Sequence, residues 1–419
     1  MYKHYQLKNG ANVLLVPQSD TASATTLVMY PLGSRYEPEK LRGVSHYIEH
    51  LMFKGTTKRK NTQILTREID RLGAAYNAFT GKEYTGYYIK ADATYLETSL
   101  DILSDMLLNS LFDPKEMERE KGPIVEELRM YKDNPMMNID NIFEELMYNG
   151  CPLGRDIGGT EKHVMGFKRP DVLLFRDTYY SPKNMTIVVA GAVSDHVEDM
   201  IQNYFGTTKK QRPIGKTFKP ACFGSVKKED RLRIEKKETD QVQLMLGFPG
   251  FAHRHKLNPV ATVMSSILGG TMSSRLFIQI RERRGLAYHV RSGTENFRDT
   301  GHIFVRAGLE AKNVNKAIQV IQDELKKLEE KKVTKRELDD AKTHIRGALT
   351  LSLEDSSAQA NWYANQALFA PKILTPEDEL KKIDTVSTEQ IQALAKHVFK
   401  INQMRVAMIG NLTKEKVRF

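Results

Sequence analysis

The sequence predicts an α+β protein of two structurally similar domains, each a largely antiparallel sheet packed with helices. Three observations predict it. The chain has 419 residues, room for two domains of ordinary size, each with its own core. Its strand-like and helix-like stretches come in blocks and not in strict alternation. Two segments also match each other about half a chain apart. Asn184-Met-Thr-Ile-Val-Val-Ala-Gly191 and Gln403-Met-Arg-Val-Ala-Met-Ile-Gly410 place an amide, a Met, an apolar run and a Gly at the same offsets. Each reads as a buried strand after a helical stretch, the mark of a duplicated domain.

In order, apolar β-branched runs place strands at 12–17 and 24–31. Apolar spacing at helical period places helices at 41–54 and 62–72. A strand at 83–91 follows, then helices at 94–110, 114–133, 136–148 and 169–179, a strand at 184–191 and a helix at 194–204. The second half gives strands at 231–237 and 241–248, helices at 257–268 and 273–283, and strands at 286–295 and 301–309. Long helices follow at 312–330, 335–352 and 355–369, then a helix at 387–399 and a strand at 403–410. Residues 207–228 are rich in Lys, Gly and Pro and lack an apolar period. They read as a linker between domains 1–206 and 229–419.

Composition is that of an ordinary globular chain, 40% hydrophobic and 27% charged. The formal charge of +11 invites a nucleic-acid reading. The basic residues are scattered, with no stacking aromatics, zinc knuckle or recognition helix, so a solvated surface is the better reading and no specific nucleic acid is expected. The two cysteines, Cys151 and Cys222, form no CxxC pair, so neither a disulfide framework nor a thiolate zinc site is indicated. The N-terminus has no signal-peptide pattern, and no apolar run is long enough for a membrane span. The expected setting is a reducing, cytoplasmic one.

The chemistry starts at Gly43-Val-Ser-His-Tyr-Ile-Glu-His-Leu-Met-Phe-Lys-Gly55. His46 and His50 are one helical turn apart on one face, so two neutral imidazoles can share one metal ion. Glu49 stands beside them without ligating, where a base must be to take a proton from water at the metal. This is H-x-x-E-H, the inverse of the commoner H-E-x-x-H. A hydrolytic site needs a third protein ligand and an open position. The run from Met117 to Lys132 offers Glu118, Glu120, Glu126 and Glu127. Pro123 interrupts that run and is expected to kink or restart the helix, with Glu127 helical beyond it.

These residues resemble the pitrilysin/insulinase family of zinc peptidases, the inverzincins, in the half-length form of the mitochondrial processing peptidase subunits. The resemblance covers essentially the whole chain. The family's spacing from H-x-x-E-H to its third ligand selects Glu127, and its outer carboxylate, two helical turns earlier, falls on Glu120. One Zn2+ per chain is implied, because the second half has no H-x-x-E-H. The family's Asn-Ala-x-Thr stretch, a sheet edge that pairs with extended substrate, falls on Asn77, Ala78, Phe79 and Thr80. An Arg and a Tyr in the family's second half, which reach the active site, fall on Arg281 and Tyr288. There Arg281 would hold the substrate backbone and Tyr288 the oxyanion.

The resemblance therefore implies a zinc-dependent endopeptidase that takes short or unfolded peptides as an added β-strand in an enclosed cleft. It also implies a homodimer in which Arg281 and Tyr288 serve the partner's zinc, or a heterodimer with a non-catalytic homologue. The alternative is a non-catalytic structural or assembly subunit of the same fold.

Overall fold

The structure is a computed structural model that describes residues 2–206, 221, 223 and 226–419. The first half runs β1 (Lys3–Gln6), β2 (Asn12–Pro17), β3 (Ser23–Tyr30), α1 (Val44–Leu51), α2 (Thr62–Asp70), β4 (Ala75–Thr80), β5 (Thr85–Asp92), α3 (Leu96–Leu108), α4 (Pro114–Asp133), α5 (Pro135–Met147), α6 (Glu161–Gly166), α7 (Arg169–Tyr179), β6 (Thr186–Gly191) and α8 (Val197–Phe205). The second runs β7 (Leu232–Lys236), β8 (Val242–Pro249), α9 (Asn258–Ser265), β9 (Ala287–Asn296), β10 (Gly301–Leu309), α10 (Val314–Glu330), α11 (Lys335–Ser352), α12 (Ser356–Phe369), α13 (Pro376–Asp384), α14 (Thr388–Val398) and β11 (Arg405–Gly410).

The two sheets repeat one topology. The first has the order β1-β2-β6-β3-β5-β4 and the second β7-β11-β8-β10-β9. In each, one pair is parallel, β2 with β6 and β7 with β11, and the other pairs are antiparallel. Strand for strand, β2, β6, β3, β5 and β4 correspond to β7, β11, β8, β10 and β9, with β1 as an added edge. The matched segments of the sequence are β6 and β11, which hold equivalent places. Both end on a glycine of positive φ, Gly191 at 109° and Gly410 at 156°. A Cβ would come within 2.2 Å of the Ser23 carbonyl oxygen at the first and 2.8 Å of Val242 at the second. Only glycine closes these strand ends without strain.

The chain divides into two compact units that are not contiguous in sequence. One contains the residues up to 129, 155–206 and 351–373, and the other 130–154, 226–350 and 374–419. Two contiguous halves were the expectation; instead each unit takes one helix from the other half of the chain. In the first unit, α12 buries Ala360, Tyr363 and Ala364 against Leu14, Val16, Leu27, Met29, Val188 and Ala190 of the sheet. In the second, α5 buries Ile139, Ile142 and Phe143 against Met245, Ala407 and Ile409. The opposite sheet faces are covered by helices of the same half, among them α1 and α3 in one unit and α9, α10 and α14 in the other. The expected linker, 207–228, lies largely outside the described residues.

Most expected elements form close to their expected bounds. The departures have local causes. Pro123 does not break α4, which runs unbroken from Pro114 to Asp133. Proline removes one amide donor and frees the carbonyl four residues back. Here Pro123 and Arg119 are both on the exposed face, where water can satisfy that carbonyl. The expected helices 257–268 and 273–283 become α9 followed by π-helical turns at Ser266–Gly270 and Phe277–Glu282. The short elements β1, β4, α6 and α13 carry too few apolar positions to show a period.

Candidate metal centre

The site is built on two helices of the first unit. Along α1, Val44, Tyr47, Ile48 and Leu51 are buried in the core, so the helical period turns His46, Glu49 and His50 to the opposite side. The helix starts on Gly43 in the left-handed conformation, with no side-chain cap of its own. The buried Glu37 carboxylate takes that place. It accepts the Gly43 N–H at 2.7 Å and the Ser45 N–H at 2.8 Å, satisfying orphan donors and the positive end of the helix dipole. Along α4, Met117, Ile124 and Val125 are buried. Glu120 and Glu127, two turns apart on that helix, both reach α1.

His46 Nε2 is 3.6 Å and His50 Nε2 3.3 Å from Glu127 Oε2. One ligand atom from each of His46, His50 and Glu127 lies within 4.8 Å of the others. A tetrahedral zinc with bonds of about 2.0–2.2 Å separates its ligand atoms by about 3.4 Å. The two distances to Glu127 match that spacing, and the donor set of two imidazoles and one carboxylate suits zinc. On the far side of His50, Nδ1 is 2.9 Å from Glu120 Oε1. The other Glu120 oxygen pairs with Lys54 Nζ at 2.6 Å. Glu120 thus fixes the His50 ring so that Nε2 faces Glu127. His46 Nδ1 is buried with no hydrogen-bond partner among the described residues.

The electrostatics follow this geometry. Burial alone would push the His50 imidazole down, but its bonds to Glu120 and Glu127 outweigh it and raise it to about 9. His46 is lowered to about 4, by burial first and then by the His50 charge. Burial would raise Glu120, yet His50 and Lys54 hold it below the ordinary carboxylate range. Glu49 is raised by burial, against the opposing effect of Thr80.

Thr80 ends β4, the edge strand of the first sheet, and its hydroxyl donates to Glu49 Oε2. Along the same strand, Asn77 is exposed, Ala78 is buried and Phe79 is half-buried. Phe79 lies over Gly86 of β5, where a Cβ would come within 2.3 Å of its ring.

Arg281 and Tyr288 come together in the second unit. Arg281 lies in the π-helical turn Phe277–Glu282, and Tyr288 is the second residue of β9. The guanidinium is 4.8 Å from the Phe277 ring centroid and 5.3 Å from that of Tyr288, a cation stacked against two aromatic faces. Tyr288 is 75% exposed, so its hydroxyl is available to another molecule.

Sequence reasoning missed two residues that shape this site. Lys54 is four residues after His50, a spacing that could have flagged it. Glu37 carries no local signal, because its partners are backbone amides across a turn.

Residues 12–161 match the family described as Insulinase (Peptidase family M16), and residues 166–345 match the Peptidase M16 inactive domain. The chain is 33% identical over 399 residues to the uncharacterized zinc protease YmxG of Bacillus subtilis (strain 168), covering 95% of this chain and 96% of that protein. It is 33% identical over 396 residues to an uncharacterized zinc protease of Streptomyces coelicolor, covering 94% and 86%. Among solved structures, a protease from Helicobacter pylori superposes with a TM-score of 0.92 at 24% identity, over 98% of this chain and 99% of that one. A peptidase M16 inactive domain from Pseudomonas fluorescens gives 0.89 at 18% identity, over 98% of each. Both likenesses show the fold.

The chain belongs to the insulinase family of zinc peptidases, family M16, in its half-length form. No helix among the described residues is long and apolar enough to cross a membrane.

Proposed function

We propose that this chain is a zinc-dependent endopeptidase of short or unfolded peptides, with His46, His50 and Glu127 as ligands of one zinc. The observation that carries the reading is the convergence of those three side chains at ligand spacing, with Glu49 beside them. Bound zinc supplies Lewis-acid polarisation of a carbonyl and makes water acidic enough to be deprotonated near neutral pH.

The chain's own groups do the rest. Glu49, held by the Thr80 hydroxyl, takes the proton of the attacking water and later gives it to the leaving amine. Glu120, braced by Lys54, orients His50. The free edge of β4 at Asn77, Ala78 and Phe79 pairs with an extended peptide backbone, which favours unfolded substrates. Tyr288 donates to the oxyanion and Arg281 holds the substrate backbone. In a homodimer these two residues would serve the partner's site. A fully active monomer whose activity per chain is independent of concentration would sink the dimer proposal.

The test is metal analysis beside hydrolysis of a quenched fluorescent peptide, with wild type set against His50→Ala. The expected result is about one zinc per wild-type chain, chelator-sensitive cleavage, and loss of both in the variant. A folded wild type that takes up no zinc would overturn the proposal in favour of a non-catalytic subunit.

A further inference from the structure

We propose, on the reading of Glu49 as the base, that Tyr87 and Tyr180 position its carboxylate through an internal water bound between their hydroxyls. All of these groups belong to the first unit, and the sheet register brings them together. Thr80 of β4 lies opposite Thr85 of β5, and Ala78 lies opposite Tyr87. On the other side of β5, Tyr30 of β3 lies opposite Thr85. Opposite residues share a face of a sheet, and so do residues two apart on a strand. Thr80, Thr85, Tyr87 and Tyr30 therefore stand on one face, in the core that Tyr47 and Ile48 of α1 also fill. Tyr180 follows α7 directly and packs its ring on Tyr30, with centroids 4.9 Å apart.

The three phenols are buried, Tyr30 and Tyr87 at 0% and Tyr180 at 5% exposure. None of their hydroxyls has a hydrogen-bond partner among the described residues. In the same core, the hydroxyls of Tyr47 and Thr85 do have partners, the carbonyls of Met117 and Leu32. Buried polar groups are nearly always satisfied, by ordered water where no protein group serves. The Tyr180 hydroxyl neighbours those of Thr85 and Tyr87 without meeting either in bonding geometry. Burial pushes all three phenols up, and at Tyr87 and Tyr180 the nearby Glu49 charge adds to it. They therefore stay protonated and act as donors.

Glu49 has acceptor capacity to spare. Among the described residues its carboxylate accepts only the Thr80 hydroxyl, at Oε2, whereas a carboxylate offers about four acceptor sites. A water between Tyr87, Tyr180 and Glu49 has about three partners, the usual number for a buried one. It accepts from both phenols and donates to the carboxylate. Thr80 then holds Glu49 from the strand edge and the water holds it from the core, so the carboxylate is fixed on two sides. Tyr30, stacked on Tyr180, backs that ring.

The test sets Tyr87→Phe and Tyr180→Phe beside wild type in the zinc-loaded full chain. Each change removes the hydroxyl and keeps the ring. In peptide hydrolysis kcat should fall about tenfold in each, because a hydrogen bond to a charged group is lost, with KM and zinc content as in wild type. The double variant should lose little more than either single one, because both phenols hold the same water. A crystal structure of wild type should show a water within hydrogen-bond distance of both phenols and of Glu49, and that of Tyr87→Phe should lack it. Should one variant not fold, the other variant and the wild-type water decide. A wild type that takes up zinc and cleaves peptide, with kcat unchanged in the folded variants or with no water at that place, would overturn this proposal alone. Lower thermal midpoints with unchanged kcat would make the tyrosines merely structural. A wild type that takes up no zinc and cleaves nothing would overturn the reading of Glu49 as the base along with it.

Discussion

Thr80→Val tests whether the edge strand positions the base. The substitution keeps the β-branched shape and removes only the hydroxyl that donates to Glu49. A hydrogen bond to a charged acceptor contributes about 1.5–3 kcal/mol, and each 1.36 kcal/mol lost in the transition state costs a factor of about ten in rate. Turnover should therefore fall about 10–100-fold, with KM and zinc content close to wild type. Thr80 also opposes the burial that raises Glu49. Its loss should move the acid limb of kcat/KM to higher pH, because Glu49 must be ionised to accept a proton. The assay is peptide hydrolysis across pH for wild type, Thr80→Val and Thr80→Ser, with Thr80→Ser restoring most of the rate. A raised KM with unchanged kcat and an unmoved pH profile would refute the reasoning and make Thr80 a substrate contact.

Glu37→Ala leaves the Gly43 and Ser45 amides at the start of α1 without their acceptor, and should cost about 2–4 kcal/mol in urea unfolding of the zinc-free protein. An unchanged midpoint would show that water replaces the carboxylate. In the zinc-free protein His50 is raised from 6.5 to about 9, so its stabilising contribution is full below about 6.5 and lost as pH rises through about 9. Zinc uptake at pH 7 should therefore release a proton and tighten with rising pH. Calorimetry in buffers of different ionisation enthalpy reads this directly, and heats independent of buffer would contradict it. Arg35 and Glu83 form a buried ion pair at 2.6 Å, with side chains 0% and 2% exposed. Arg35→Met should destabilise by about 3–5 kcal/mol by removing the counter-charge of a buried carboxylate, and a second change, Glu83→Leu, should recover most of that. Failure of the double variant to recover would mean that the pair's other contacts matter more than its charges.

The parts of the site that were legible in the sequence are those with a local period. His46, Glu49 and His50 sit within five residues, and one helical turn explains their common face. Glu127 and Glu120 were singled out from four glutamates only through the spacing of the resembled family, and Pro123 argued against the continuous helix that α4 forms; the exposure of Arg119 and Pro123 is what allows it. The contact from Thr80 to Glu49 joins a strand end to a helix, and the Glu37 cap joins a turn to backbone amides, so neither leaves a pattern along the chain. The same holds for the exchange of α5 and α12. Their apolar faces are readable, but an apolar face does not say which sheet it will cover. The duplication was readable because β6 and β11 share a glycine-ended register, and the common strand order explains why.

The measurement closest to the central claim is zinc content and peptide cleavage in Glu49→Gln beside wild type. Glu49 is not among the three residues at ligand spacing, so the variant should hold about one zinc per chain and lose turnover by several orders of magnitude. Cleavage by Glu49→Gln at the wild-type rate, with zinc bound, would contradict the assignment of Glu49 as the base and with it the proposed mechanism.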